Sequence, residues 1–195
     1  MFAIIPPSHF LRPTVEDTIR SAFLREHGAQ LPALPHWLVA DIDRSGAIVC
    51  AASLRFAVDG FFAERYLDEP VERLIARHAG LEANRAEVAE LGSLASSQAG
   101  ALTGPFRGHF MHDIIGLLRA QGMTWAIFTA TVRLRALLRH AGVPLIELAP
   151  AVSARSGDEA AWGGYYRHDP RVMLVGNHML GPTLRSAEDG SRRHA

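Results

Sequence analysis

Residues 87–132 read EVAELGSLASSQAGALTGPFRGHFMHDIIGLLRAQGMTWAIFTATV, and this stretch decides the fold class. It begins with a mostly apolar strand and a loop of small residues. A helix from Pro105 to Gly122 and a second apolar strand follow. A strand, a helix and a strand in this order predict a parallel pair joined by a helical crossover. The stretch therefore predicts an α/β fold.

Glu90 interrupts the first of these strands with a carboxylate. Because side chains alternate between the two faces of a strand, Glu90 is expected to share its face with Val88, Gly92 and Leu94. A carboxylate in such apolar surroundings costs free energy unless it is paired or neutralised. Glu90 is therefore a candidate for a catalytic carboxylate or for the partner of a buried cation.

The segments on either side extend the sheet. Upstream, the patterns HWLVADID and GAIVCAASLRFA predict a β-hairpin with its turn at residues 43–46. Helices are predicted over residues 14–28, 68–80 and 133–142, and the patterns PLIELAPA and RVMLVG predict two more strands. The order strand, helix, strand, helix, strand over residues 87–150 predicts parallel pairing along that run. The early hairpin makes the sheet mixed.

The chain of 195 residues is predicted to form one domain over residues 1–181, a mixed sheet flanked by helices, with a polar C-terminal tail over residues 182–195. Twenty basic residues balance twenty acidic ones, so the net charge favours no nucleic acid or anionic lipid as a partner. The single cysteine excludes an intramolecular disulfide. Neither a secretory signal nor a membrane-spanning run is recognisable, and we expect a cytoplasmic location.

Four strings resemble the thermostable hemolysin family, in the same order and over most of the chain: FFAERYLDEPVE, AELGSLAS, WAIFTAT and WGGYYRHDPRVM. That family is similar in turn to the GCN5-related N-acyltransferase (GNAT) superfamily, nearest to the acyl-homoserine-lactone synthases. The resemblance implies a GNAT-like fold. It also implies an acyltransferase that moves an acyl group from acyl carrier protein or acyl-CoA to a small amine or amino-acid-like acceptor.

The resemblance implies a catalytic role for Glu90 and Arg55. Glu90 falls where the synthases have a strand glutamate that helps to deprotonate the attacking amine, and Arg55 falls where they have an arginine at the end of the second hairpin strand. Where the synthases have a further arginine, three residues after the glutamate, this chain has Ser93. This difference argues against homoserine-lactone chemistry in particular. A buried carboxylate of raised pKa suits the removal of an ammonium proton. Structural pairing of Glu90 with Arg55 is the alternative.

Further residues are candidates for binding. The candidate substrate-binding residues are Glu64, Tyr66, Thr129, Thr131, Trp162 and Tyr165. A capped helix start, cross-strand packing and an aromatic core are the structural alternatives for them. Donor binding is predicted at Thr103, Gly104 and Arg107, because a helix begins there and its free N–H groups favour a phosphate.

The donor and the competing functions remain open at this point. The loop QAGALTG lacks the spacing of the usual CoA-binding loop, which favours acyl carrier protein over acyl-CoA. No tightly bound cofactor and no metal site is predicted. The family's name implies a membrane-active protein instead, but membrane contact finds no clear support in an exposed apolar or amphipathic segment. A catalytically inactive acyl-binding module on the same fold is the third reading.

Overall fold

The computed structural model describes residues 1–31, 33–97 and 105–180, with side chains from residue 109 onward in the last range. In this part of the chain the strands are β1 (Phe2–Ile5), β2 (Trp37–Ile42), β3 (Ile48–Phe56), β4 (Val88–Ser96), β5 (Trp125–Ala130), β6 (Ile146–Pro150) and β7 (Arg171–Gly176). The α-helices are α1 (Arg12–His27), α2 (Val71–Ala79), α3 (Pro105–Ala120) and α4 (Val132–His140). The strands form one sheet in the order β1-β2-β3-β4-β5-β7-β6.

Helices cover both faces of the sheet. Alternate residues of β5 contact opposite layers, because Ile127 lies in the buried cluster of Ile75 in α2 and Phe128 lies in that of Phe110 in α3. The buried residues of α1 lie on the α2 side, and the apolar residues of α4 lie on the α3 side. The predicted architecture, a mixed sheet flanked by helices, is confirmed.

The crossover unit around residues 87–132 forms as the sequence predicts. Residues 88–91 of β4 pair in parallel with residues 125–128 of β5, and the other strand pairs are antiparallel. In the β2–β3 turn, the Asp43 carboxylate accepts hydrogen bonds from the N–H groups of Ser45 and Ala47. The predicted helix ends at Gly28 and Gly80 both adopt the left-handed conformation.

The predicted parallel pairing of β5 with the strand after α4 is wrong. β7 lies between β5 and β6 and is antiparallel to both. β7 is buried from Val172 to Gly176, whereas β6 exposes Glu147 and Pro150. Because proline cannot donate a hydrogen bond to a ladder, β6 suits the edge of the sheet better than its interior. Sequence reasoning also missed β1, and α1 begins at Arg12 rather than at Thr14.

A bulge in β4 changes the face that its last residues meet. Ser93 and Leu94 lie opposite the single residue Ala52 of β3, and Ser93 has a left-handed φ of 49°. The extra residue reverses the alternation, so Leu94 packs on the α3 side and not on the side of Glu90 as predicted. Parallel pairing with β5 stops at Leu91, and the two strands separate beyond it.

Three further observations concern membrane spans, metal ligands and the predicted tail. None of its helices is long and apolar enough to cross a bilayer. Residues 1–31, 33–97 and 105–180 contain no group of three His, Cys, Asp or Glu side chains that could hold a metal ion. The predicted polar tail over residues 182–195 lies outside the described residues.

Candidate active site

A cavity of about 110 Å³ opens where β4 and β5 separate. Gly92 and Ser93 line it from β4, and Thr129 lines it from β5. The other walls come from β3, from the segment that follows α1, from the residues before α2 and from the segment before β7. A topological gap between parallel strands is a common place for a ligand, and this gap is the candidate active site.

Six of the residues named from the sequence line this one cavity: Arg55, Tyr66, Glu90, Thr129, Trp162 and Tyr165. They come from three strands and two connecting segments that are far apart along the chain. The fold therefore brings together side chains that the sequence indicated separately. The roles of these six residues remain predictions.

Glu90 is held in the cavity wall by backbone N–H groups. Its Oε2 accepts a hydrogen bond from the N–H of Phe62 at 2.5 Å, and its Oε1 accepts one from the N–H of Ala63 at 2.9 Å. Glu90 is 5% exposed. Burial raises its pKa to about 7, against the opposing effects of the two N–H groups and of the Arg55 charge. Both protonation states are therefore available near neutral pH, as a proton acceptor requires.

Arg55 lies directly opposite Glu90 in the β3–β4 ladder, so both side chains point to the same face of the sheet. The Glu90 carboxylate, however, is bonded to Phe62 and Ala63. Within the described residues, Arg55 forms no hydrogen bond or ion pair, although its charge lowers the pKa of Glu90. The guanidinium is therefore left for the cavity.

Hydroxyl groups add polar contacts to the mostly apolar walls. The Tyr66 and Tyr166 hydroxyls share a hydrogen bond of 2.6 Å. Burial raises the pKa of the Tyr66 phenol and that of the Tyr165 phenol, so both stay protonated at neutral pH. Ser53 also lines the cavity, on the same strand face as Arg55. Sequence reasoning overlooked Ser53, although its position two residues before Arg55 was a usable signal.

A buried arginine anchors the segment that follows α1. Arg12 donates hydrogen bonds to the carbonyls of Pro35 and His36, both at 2.6 Å, and to that of Ile5 at 3.3 Å. Leu34 and Pro35 line the cavity. Arg12 therefore positions one cavity wall. No sequence pattern indicated this role, because Arg12 bonds to backbone carbonyls and every residue type has a backbone carbonyl.

Two glycines let the aromatic segment approach the end of α1. Gly163 has a φ of 52°, and a Cβ on it would lie 2.5 Å from the backbone oxygen of His27. The N–H of Gly164 donates to that same oxygen at 2.6 Å. Because only glycine fits at position 163, this contact fixes the flanking Trp162 and Tyr165 beside the cavity.

Glu64 and Thr131, both predicted to bind substrate, do not line the cavity. The Glu64 carboxylate accepts bonds from Arg85 at 2.5 and 2.6 Å and from the N–H of Val71 at 3.1 Å, at the start of α2. Thr131 accepts a bond from the N–H of Leu134 and caps α4. Both side chains thus accept hydrogen bonds at helix starts. A helix start was the structural alternative considered for Glu64, whereas cross-strand packing was the one considered for Thr131.

The predicted donor-binding residues fall outside this description. Thr103 and Gly104 lie outside the described residues, and so does the side chain of Arg107. The described structure includes only one element of that prediction, the start of α3 at Pro105.

The two threonines permit a matched test. Thr131→Val should lower the free energy of unfolding by about 1 kcal/mol, because α4 loses its N-cap acceptor. Thr129→Val should change stability by less than about 0.5 kcal/mol, because Thr129 is not a cap. Urea unfolding of both variants checks this expectation. Equal stability losses would contradict the distinction between a cap and a cavity residue.

Comparison with known proteins agrees with this architecture. A family model described as thermostable hemolysin matches residues 5–179. No curated protein sequence matches the chain.

Three solved structures have the same fold. The AHL synthase LasI has a TM-score of 0.61 at 11% identity, covering 94% of this chain and 91% of that one. The CoA-dependent acyl-homoserine lactone synthase BjaI, with SAM and isopentyl-CoA, has a TM-score of 0.62 at 12% identity, covering 95% and 86%. FeeM, an N-acyl amino acid synthase from uncultured soil microbes, has a TM-score of 0.58 at 10% identity, covering 90% and 94%. These likenesses confirm the predicted GNAT-like fold.

Proposed function

The chain belongs to the thermostable hemolysin family, and from that premise we propose that it is an N-acyltransferase, which moves an acyl group from a thioester to the amine of a small acceptor. One observation carries the proposal: Glu90, a buried carboxylate with a pKa of about 7, lines the cavity where β4 and β5 separate. The activities named for LasI, BjaI and FeeM support it, because each of these proteins has the same fold and a synthase name.

The proposed reaction begins with a proton transfer. An acceptor enters as an ammonium ion, and its nitrogen becomes a nucleophile only after it loses a proton. The Glu90 carboxylate accepts that proton, directly or through one water molecule. The amine nitrogen then attacks the thioester carbonyl carbon, the C–N bond forms and the C–S bond breaks. The thiolate takes the proton held by Glu90 and leaves as a thiol, and the second proton that the nitrogen loses, as the amide forms, passes to the freed carboxylate or to solvent.

The bulge of β4 suits the carbonyl oxygen of the thioester. Beyond Leu91, the described part of β4 has no pairing with β5, and Ser93 and Leu94 share one position opposite Ala52. Backbone N–H groups that are fixed and lie outside a ladder are effective donors to the negative charge that develops on an attacked carbonyl. We assign the bulge this role.

The thioester donor is acyl carrier protein or acyl-CoA. We favour the carrier protein, because QAGALTG departs from the spacing of a CoA-binding loop. BjaI is named as CoA-dependent, so acyl-CoA is the second donor to test.

A paired assay tests the function. The protein is mixed with an acyl-CoA or an acyl carrier protein and a pool of small primary amines, and the release of free thiol is followed. Dye leakage from lipid vesicles is measured at the same protein concentration, because the family's name implies membrane activity. We expect thiol release that depends on the amine. Leakage without any thioester consumption would overturn the proposal in favour of the membrane-active reading.

A further inference from the structure

The described wall of the cavity contains one cationic and one anionic side chain. Of the described residues that line it, Arg55 is the only cationic side chain and Glu90 the only carboxylate. The two residues are direct cross-strand partners. Opposite charges in directly opposed positions attract each other, which favours an ion pair. Here the Phe62 and Ala63 N–H groups occupy the carboxylate oxygens instead. Two opposite charges therefore lie side by side without an ion pair between them.

A guanidinium in a cavity wall is suited to an anion when, as for Arg55 among the described residues, it has no hydrogen bond or ion pair. Arginine presents planar N–H donors that match the two oxygens of a carboxylate. Opposed residues of an antiparallel pair have Cβ atoms roughly 5 Å apart, so one small molecule can contact both side chains. Such a molecule needs an amine for Glu90 and a carboxylate for Arg55, separated by very few bonds. An α-amino acid meets both requirements.

The rest of the cavity limits the side chain of that amino acid. The other walls include Leu31, Leu34, Phe62 and Trp162, and no further charge is present among the described lining residues. The cavity volume of about 110 Å³ is below the roughly 300–1,000 Å³ of pockets that bury drug-sized ligands. The site therefore favours a small, uncharged side chain.

We propose that the acceptor is a small α-amino acid, with its carboxylate bound by Arg55 and its amine directed to Glu90. This inference rests on the proposed acyl transfer and gives it a substrate class. Arg55 then determines specificity, because it distinguishes an amino acid from a simple amine.

Alanine and alaninamide test the proposal. The two molecules have nearly the same size and both have an ammonium group, but only alanine has a carboxylate. With the thioester that gives thiol release, kcat/KM should be about tenfold to 100-fold higher for alanine, the range of a charge-assisted hydrogen bond. Alaninamide is the weaker base and holds more free amine at pH 7, so intrinsic reactivity favours it. A preference for alanine therefore reports binding of the carboxylate.

Variants of Arg55 assign the preference to this residue. Arg55→Gln should remove the preference for alanine, mainly by raising KM for alanine. Arg55→Lys should retain part of this preference because the positive charge remains. Arg44→Gln, in the exposed β2–β3 turn, is the matched control and should leave it unchanged. Equal kcat/KM values for alanine and alaninamide in the wild-type protein would overturn the proposal, and so would an Arg55→Gln protein that loses activity equally with both.

Ligand-observed NMR of alanine and alaninamide separates this inference from the proposed function, because it requires no turnover. The wild-type protein should bind alanine at least about tenfold more tightly, and Arg55→Gln should bind both alike. Selective binding of alanine without acylation of any amine would refute the proposed acyl transfer but would still support the amino-acid-binding site. Equal binding of the two ligands would refute the site.

Discussion

Glu90→Gln should slow acyl transfer at pH 7 by about 100-fold or more, which is the usual contribution of a general base. Glutamine has nearly the same shape as glutamate but cannot accept the proton of an ammonium ion. The rate loss should therefore appear in kcat as well as in kcat/KM, because proton removal belongs to the chemical step. Steady-state kinetics with a small amine and the active thioester measure both constants.

Stability decides whether this rate loss is chemical. The glutamine amide has one acceptor oxygen, so either Phe62 or Ala63 loses its partner, at a cost of about 1–3 kcal/mol. The variant also no longer buries a charge, which offsets that cost near pH 7. Glu64→Gln is the matched control: it weakens the bonds to Arg85 and Val71 outside the cavity, so it should lower stability and leave the rate per folded molecule unchanged.

The wild-type protein should lose about 3 kcal/mol of stability relative to Glu90→Gln as the pH rises from 4.5 to about 8. The reason is that burial raises the pKa of Glu90 from 4.5 to about 7. The folded state therefore binds this proton more tightly than the unfolded state. The resulting stabilisation is fully present below pH 4.5 and is lost as the pH rises through 7. Urea unfolding of both proteins over this range measures the difference.

Taking the difference between the two proteins removes the contributions of most other titrating groups. His27, whose pKa is lowered by burial, titrates in both proteins alike. A difference in stability that is constant with pH would show that Glu90 is not a buried carboxylate of raised pKa. A difference of the opposite sign would mean that Arg55 and the N–H groups outweigh burial.

Sequence reasoning found the side chains of the site better than it found their contacts. Glu90 was recognisable because a carboxylate broke an apolar strand, and Arg55 was identified through the family resemblance. Their direct pairing in the ladder depends on the register of β3 and β4, which the sequence did not specify. The donors to Glu90 are the backbone N–H groups of Phe62 and Ala63, which any residue type supplies.

The errors in the predicted fold have a common cause. The position of β7 between β5 and β6 is a choice among distant segments, and nothing within residues 87–150 indicates it. The bulge at Ser93 arises where a serine adopts a conformation that it rarely takes, so local preference predicted a regular strand. Glu64 was named through the family resemblance and Thr131 because it shares a strand face with Thr129, and neither signal shows that these side chains accept hydrogen bonds at helix starts.

The pH dependence of kcat/KM, compared between the wild-type protein and Glu90→Gln, tests most directly whether Glu90 is the base. For the wild-type protein, log kcat/KM should rise with pH, bend at about pH 7, where half of the Glu90 carboxyl groups are ionised, and reach a plateau roughly one pH unit higher. For Glu90→Gln it should start at least about 100-fold lower at pH 7 and keep rising in proportion to the free amine, with no bend near pH 7. A bend near pH 7 that persists in a stable Glu90→Gln protein would contradict the assignment of Glu90 as the base.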